Sequence, residues 1–124
     1  MSLFNHIRTG ALDQIKKIIT ADPSLVNKSD DRGFTPLVMA TYSDQLEVAN
    51  YLIDQGADIN AKDGMGNTAL MGVCFKGNNA MIKMLIAQGA DVNVQNNKGD
   101  TALSFASQYG HATSAKILEN VGAH

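Results

Sequence analysis

The 124 residues suffice for one ordinary domain and are too few for two. With 44% hydrophobic and 18% charged residues, the composition is that of an ordered soluble chain and excludes the polar, highly charged class of disorder. The net charge is −2, and the ten Lys and Arg residues are scattered singly apart from Lys16–Lys17, which disfavours a nucleic-acid binder with its concentrated basic face.

The first segment, MSLFNHIRTG, holds no apolar run of signal-peptide length. Within it His6 stands opposite Ala40 and Val73 of later segments and is large for that place. The run from Gly10 to Ile19 reads as a helix with Leu12, Ile15, Ile18 and Ile19 on its apolar face. DPSLVN, Asp22 to Asn27, then stands where later copies carry QGADIN and QGADVN. This is the irregular first copy of a repeat.

From Gly33 onward the copies align without gaps at a spacing of 33 residues. Gly33, Gly66 and Gly99 precede Thr35, Thr68 and Thr101, which open the triplets TPL, TAL and TAL. A threonine there can cap a short helix by accepting from a free N–H of its first turn. Pro36 fits the first helical position, where its missing N–H costs nothing. Leu37 with Ala40, Leu70 with Val73 and Leu103 with Ala106 share one helical face.

A turn at Ser43–Asp44, Gly77 or Gly110 leads into a second helix. Its expected apolar face is Leu46, Ala49 and Leu52 in the second unit and Ile82, Leu85 and Ile86 in the third. Gly56, Gly89 and Gly122 then stop that helix in a left-handed conformation. The links from Asn60 to Thr68 and from Asn93 to Thr101 are polar and glycine-containing, as projecting hairpin turns should be. In the fourth unit Thr113, Ser114, Lys116, Glu119 and Asn120 make the second helix more polar, as a terminal cap should be, and the chain reads as ending there. The expected units are roughly 1–29, 30–62, 63–95 and 96–124 of a single domain.

The pattern D-x-x-G-x-T-P-L, a helix pair, then G-A-D-[IV]-N resembles the ankyrin repeat and covers essentially the whole chain. The resemblance implies an all-α repeat solenoid, a curved stack of helix–turn–helix units with β-hairpin fingers projecting from it. The family usually places His directly after T-P-L. Val38, Met71 and Ser104 stand there instead, so the hydrogen bonds of that His are not expected.

Several chemical motifs dissolve into the repeat. Gly64-x-Gly66-x-x-Ala69 loosely matches a dinucleotide loop but lacks the βαβ context, and Gly66 is the repeat glycine. Cys74 stands where Thr41 and Ser107 stand and reads as a buried thiol. His6, His111 and His124 share no metal-ligand spacing. The stretches from Asp58 and Asp91 carry Asp63 and Asn96 where a calcium loop needs glycine. Asn27-Lys28-Ser29 is a glycosylation sequon by pattern alone. No cofactor, metal site or catalytic residue is expected.

By the same resemblance, partners bind along finger tips and the exposed edge of the first helices. The corresponding positions are Asp31, Arg32, Phe34, Tyr42 and Ser43, then Gly64, Met65, Asn67, Phe75 and Lys76, then Asn97, Lys98, Asp100, Gln108 and Tyr109. Arg32, Phe34, Tyr42, Met65, Asn67, Phe75, Lys76, Lys98, Gln108 and Tyr109 form the candidate site. The implied function is a protein-binding module, expected to be monomeric, with no nucleic-acid or membrane partner. An inhibitor or immunity-type protein that blocks a partner enzyme is the alternative; an enzyme would require Cys74 to meet a histidine in another unit. One cysteine excludes an internal disulfide and fits the cytoplasm, or the periplasm if a leader was removed.

Overall fold

Four short hydroxyl side chains, each 33 residues after the last, start four helices. Ser2 accepts from the amide of Asn5, Thr35 from Val38, Thr68 from Met71 and Thr101 from Ser104. Each such cap is worth about 1 kcal/mol. At the last of them Ser104 answers, its Oγ accepting from the Thr101 amide at 2.7 Å, so the residue standing in place of the expected His closes a capping box.

The computed structural model describes residues 2–124, and in them these caps open the first helix of four successive pairs. The pairs are α1 (Leu3–Thr9) with α2 (Leu12–Ala21), α3 (Pro36–Tyr42) with α4 (Leu46–Asp54), α5 (Ala69–Lys76) with α6 (Asn79–Ala87), and α7 (Ala102–Gln108) with α8 (Ala112–Asn120). A 3₁₀ turn, Pro23–Asn27, follows α2. The first helices pack one on the next, α1 to α3 to α5 to α7, and each also packs on its own partner. The result is a helical stack stepping along one axis.

Between the two helices of a pair the chain must reverse through a left-handed residue. Gly10, Gly77 and Gly110 provide it at φ of 76°, 74° and 74°. The second unit uses Asp44 instead, at φ 61°, one of the few side chains that tolerate this region. Its carboxylate is tied down: Lys76 Nζ lies 2.8 Å from one oxygen and Asn78 Nδ2 donates to the other at 3.0 Å. These bonds, Lys76 first, hold the Asp44 carboxyl below its ordinary value. The clamp is therefore complete at neutral pH and is lost only as the solution falls below the usual carboxylate range.

Burial follows the repeat. Ile7, Ala40, Val73 and Ala106, spaced by 33, are fully buried and line the seam between first helices. Ile19, Leu52, Leu85 and Leu118 form a second row at the same spacing under the second helices. Counted from the caps, Ile7 rather than His6 occupies the place of Ala40 and Val73; His6 is half-buried on α1, which resolves its odd size. The buried faces of the second helices differ slightly from expectation. Val48 and Met81 are buried where Leu46 and Ile86 were expected, Leu46 being exposed and Ile86 partly buried. In α2, Ile15 and Ile19 are buried while Leu12 and Ile18 are only partly so. In α8, Ser114 turns inward and donates to Asn79, whereas Thr113, Lys116, Glu119 and Asn120 face water.

Two polar ladders stitch successive units. Asn27 Oδ1 accepts from the Asp58 amide at 2.7 Å, Asn60 from Asp91 at 2.8 Å and Asn93 from His124 at 3.1 Å. At the opposite edge, the last carbonyls of the first helices are satisfied by the next unit: Arg8 by Gln45, Tyr42 by Lys76 and Phe75 by His111. The fingers are hairpin turns built on Asp30, Asp63 and Asn96, whose Oδ1 atoms each accept two backbone amides at 2.9–3.0 Å. Two backbone bonds close each, such as Asp63 N to Asn67 O at 2.9 Å and Gly66 N to Asp63 O at 3.0 Å. So short a ladder forms no strand among the described residues, although the finger path is that of a hairpin.

Candidate functional site

The capped first helices point their remaining faces in one direction, and the fingers rise beside them. Between the two lies a groove of about 700 Å³. The spacing of 33 organises it into rows. Arg32, Met65 and Lys98 occupy equivalent positions at the finger tips, and Tyr42, Phe75 and Gln108 form the opposite rim with Tyr109 beside them. Val38 and Met71, then Met39, Gly72 and Phe105, form the floor.

Exposure separates these side chains from core. Tyr42 is 49% exposed, Met65 58%, Phe75 38% and Tyr109 50%. They are not disordered ornaments on the surface. Phe75 meets Tyr109 edge-on with ring centroids 4.6 Å apart, and Tyr109 stacks on Phe105 at 6.3 Å. Such pairs contribute about 0.5–1.5 kcal/mol beyond burial and hold the rings in fixed orientation. The Lys76 ammonium lies 4.9 Å from the Tyr42 ring centre, and the Arg32 guanidinium 4.9 Å from that of Phe34.

All of the sequence candidates except Lys76 line this groove. Lys76 is half-buried behind the rim, committed to Asp44, the Tyr42 carbonyl and the Tyr42 ring. Of the wider set, Asp100 lines the groove and Asp31, Ser43, Gly64 and Asn97 do not. The floor was missed. Val38, Met39, Met71, Gly72 and Phe105 belong to the inner face of α3, α5 and α7. Their signal was available: they sit one and two residues after Leu37, Leu70 and Leu103, on the side of each helix away from its partner.

The motifs set aside as structural have definite places. Cys74 is fully buried, and burial pushes its thiol up to about 12. Alkylation of the folded protein at neutral pH is expected to be at least about a hundredfold slower than in denaturant. Rapid labelling of the native chain would show an accessible thiolate. Gly66 is buried between fingers, against Asn96 and Asn97 of the next one. Among the described residues no group of three His, Cys, Asp or Glu side chains is placed to hold a metal. No described helix is long and apolar enough to cross a membrane.

Comparison with known proteins accords with this geometry. A family model described as ankyrin repeats (3 copies) matches residues 62–124, and one described as ankyrin repeats (many copies) matches residues 18–72. The chain belongs to the ankyrin-repeat family. Membership in the family implies a protein–protein interaction module. Among similar proteins, human DNA-binding protein RFXANK is 40% identical over 58 residues, which are 47% of this chain and 22% of that protein. The Schizosaccharomyces pombe palmitoyltransferase akr1 is 36% identical over 59 residues, 48% of this chain and 9% of that protein. Alpha-latrotoxin-Lt1a of Latrodectus tredecimguttatus is 43% identical over 49 residues, 40% of this chain and 4% of the toxin. The ankyrin-repeat chain thus aligns with less than a quarter of the length of each of these relatives.

Proposed function

We propose that this ankyrin-repeat chain holds a partner protein in the groove, using the finger tips and the aromatic rim as contacts and catalysing no reaction. Arg32, Phe34, Met65, Asn67 and Lys98 would contact the partner from the fingers, and Tyr42, Phe75, Gln108 and Tyr109 from the helix edge. The carrying observation is the placement of exposed apolar side chains. Of the six large hydrophobic residues that stand exposed among the described residues, Tyr42, Met65, Phe75 and Tyr109 surround one groove, and Leu46 and Val121 lie elsewhere. Apolar exposure concentrated in this way marks interaction sites, because a fold gains nothing by holding it in water. Aromatic anchors fixed by their neighbours also lose little entropy on binding.

The test is a triple replacement of Tyr42, Phe75 and Tyr109 by Ala, applied with a partner purified from the source cell. Loss of the exposed ring pairs should lower the melting temperature by no more than about 10 °C. Affinity for the partner should fall at least about a hundredfold. Unchanged affinity would remove the groove from consideration; collapse of the fold would return the three rings to the core.

A further inference from the structure

The middle of the groove floor lacks a side chain. Met39, Gly72 and Phe105 are equivalent positions in successive first helices, so two large apolar side chains flank a glycine. Gly72 lies inside α5 and is not among the glycines with positive φ, so its backbone does not demand glycine. A Cβ built on it meets only Tyr42 Cδ1, at 3.5 Å, an ordinary contact. Helix stability argues against the residue, since glycine within a helix costs about 1 kcal/mol relative to alanine. What the glycine leaves is a hollow beside the Tyr42 ring, in the groove that Met39, Met71, Phe75 and Phe105 also line.

Two cations stand at the ends of the rim beside the hollow, in a groove that the carboxylates of Asp63 and Asp100 also line. Arg32 and Lys98 stand on the finger tips one unit to either side of Met65. Arg32 pairs loosely with Asp30, at 3.9 Å, and lies over the Phe34 ring, yet is largely exposed; Lys98 has no ion-pair partner among the described residues. Of the carboxylates nearby, Asp31 is exposed beside Arg32 but does not line the groove, and the two that do are hydrogen-bonded. Asp63 accepts the amides of Met65 and Asn67, and Asp100 accepts from Gln108. The third cation, Lys76, is spent on Asp44.

Resting on the groove reading above, we infer that the occupant is an extended segment of the partner protein. It carries one bulky apolar side chain that enters the hollow over Gly72, flanked on each side by an acidic residue that reaches Arg32 or Lys98. Packed helices lie about 8–10 Å apart, so Arg32 and Lys98 are separated by roughly 16–20 Å. An extended chain rises about 3.3 Å per residue, which sets the acidic residues about three positions before and after the apolar one. Gly72 is then the specificity determinant of the site.

The test uses the full chain and a displayed library of random twelve-residue peptides, selected on the native protein and then measured individually. Selected peptides should share a central Leu, Met or Phe with Asp or Glu about three residues to either side. Gly72→Ala should weaken them no more than about threefold, because one carbon leaves most of the hollow open. Gly72→Met should weaken them at least tenfold while leaving the melting temperature equal or higher, which separates filling from unfolding. Arg32→Glu with Lys98→Glu should also cost at least tenfold and shift selection away from acidic flanks. Peptides that bind with small central residues, or indifferently to Gly72→Met, overturn the inference but leave the groove reading standing if they are lost in the triple aromatic variant. A library yielding no groove-dependent peptide overturns the linear-segment inference, while the purified-partner measurement decides the groove reading separately.

Discussion

Replacing Gly66 by Ala is expected to cost about 3 kcal/mol and to lower the melting temperature by roughly 10 °C, although it adds a single carbon. Two effects combine. Gly66 sits at φ 82°, where a Cβ costs roughly 1–2 kcal/mol. That Cβ would also lie 2.9 Å from the backbone nitrogen of Asn97 and 2.6 Å from its Oδ1. The neighbouring finger cannot retreat freely, since the same Asn97 nitrogen donates to Met65 O at 3.0 Å. Moving it forfeits a bond worth about 1 kcal/mol. Gly56 provides the control: its φ is 98°, yet nothing lies within 4 Å of the position of its Cβ. Gly56→Ala should therefore show the conformational cost alone. Thermal melts of the two variants decide the matter, and equal losses would mean that the fingers do not press on each other at Gly66.

These two glycines also mark where sequence reading ends. Both recur at the 33-residue spacing, so both are recognisable as repeat positions, and the helix-stopping role of Gly56 follows from its place after α4. That Gly66 is buried under Asn97 depends on how far one finger leans on the next, which one unit alone does not encode. The same distinction runs through the rest of the fold. Thr35, Thr68 and Thr101 act within four residues of themselves, and their caps were legible. The ladder of Asn27, Asn60 and Asn93 acts across 31 residues, and the asparagines appear in sequence only as the last letter of a repeated word. Leu46 illustrates the cost of reading a short helix by period alone. Over nine residues the buried face keeps Ala49 and Leu52 as expected but is completed by Val48 rather than by Leu46 at the helix start.

The groove was half legible for a related reason. Rim residues such as Tyr42 and Phe75 announce themselves because aromatic side chains at repeat-equivalent, solvent-facing positions have no business in the core. The floor does not announce itself. Val38 and Met71 read as ordinary helix packing, and Gly72 reads as nothing at all. Only the placement of α3, α5 and α7 side by side shows that the first two are half of a groove floor and that the third leaves a gap in it. Lys76 failed in the opposite direction. Its repeat position is exposed in principle, but Asp44 happens to replace the turn glycine beneath it and captures the ammonium.

Leu85→Ala is expected to destabilise the protein by about 3–5 kcal/mol, a large share of the stability of an ordinary domain. Leu85 is fully buried in the row Ile19, Leu52, Leu85, Leu118, with a neighbouring unit on each side to hold the cavity open. Leu118 is equally buried but belongs to the last pair, α7 and α8, which packs on a neighbour from one side only. A cavity there can close by movement of α8, whose outer face of Thr113, Lys116 and Glu119 is already in water. Leu118→Ala should accordingly cost about 2–3 kcal/mol. In a stack whose stability is a sum of units and interfaces, the two losses should also differ in kind. Leu118→Ala should release the amides of α8 to hydrogen exchange while α3 to α6 stay protected, whereas Leu85→Ala should raise exchange through all four pairs together. Urea unfolding with exchange measured helix by helix would separate them. Identical costs and identical exchange patterns would mean that the chain behaves as one closed core, and a rim held in place by independent units would no longer explain how the groove keeps its shape.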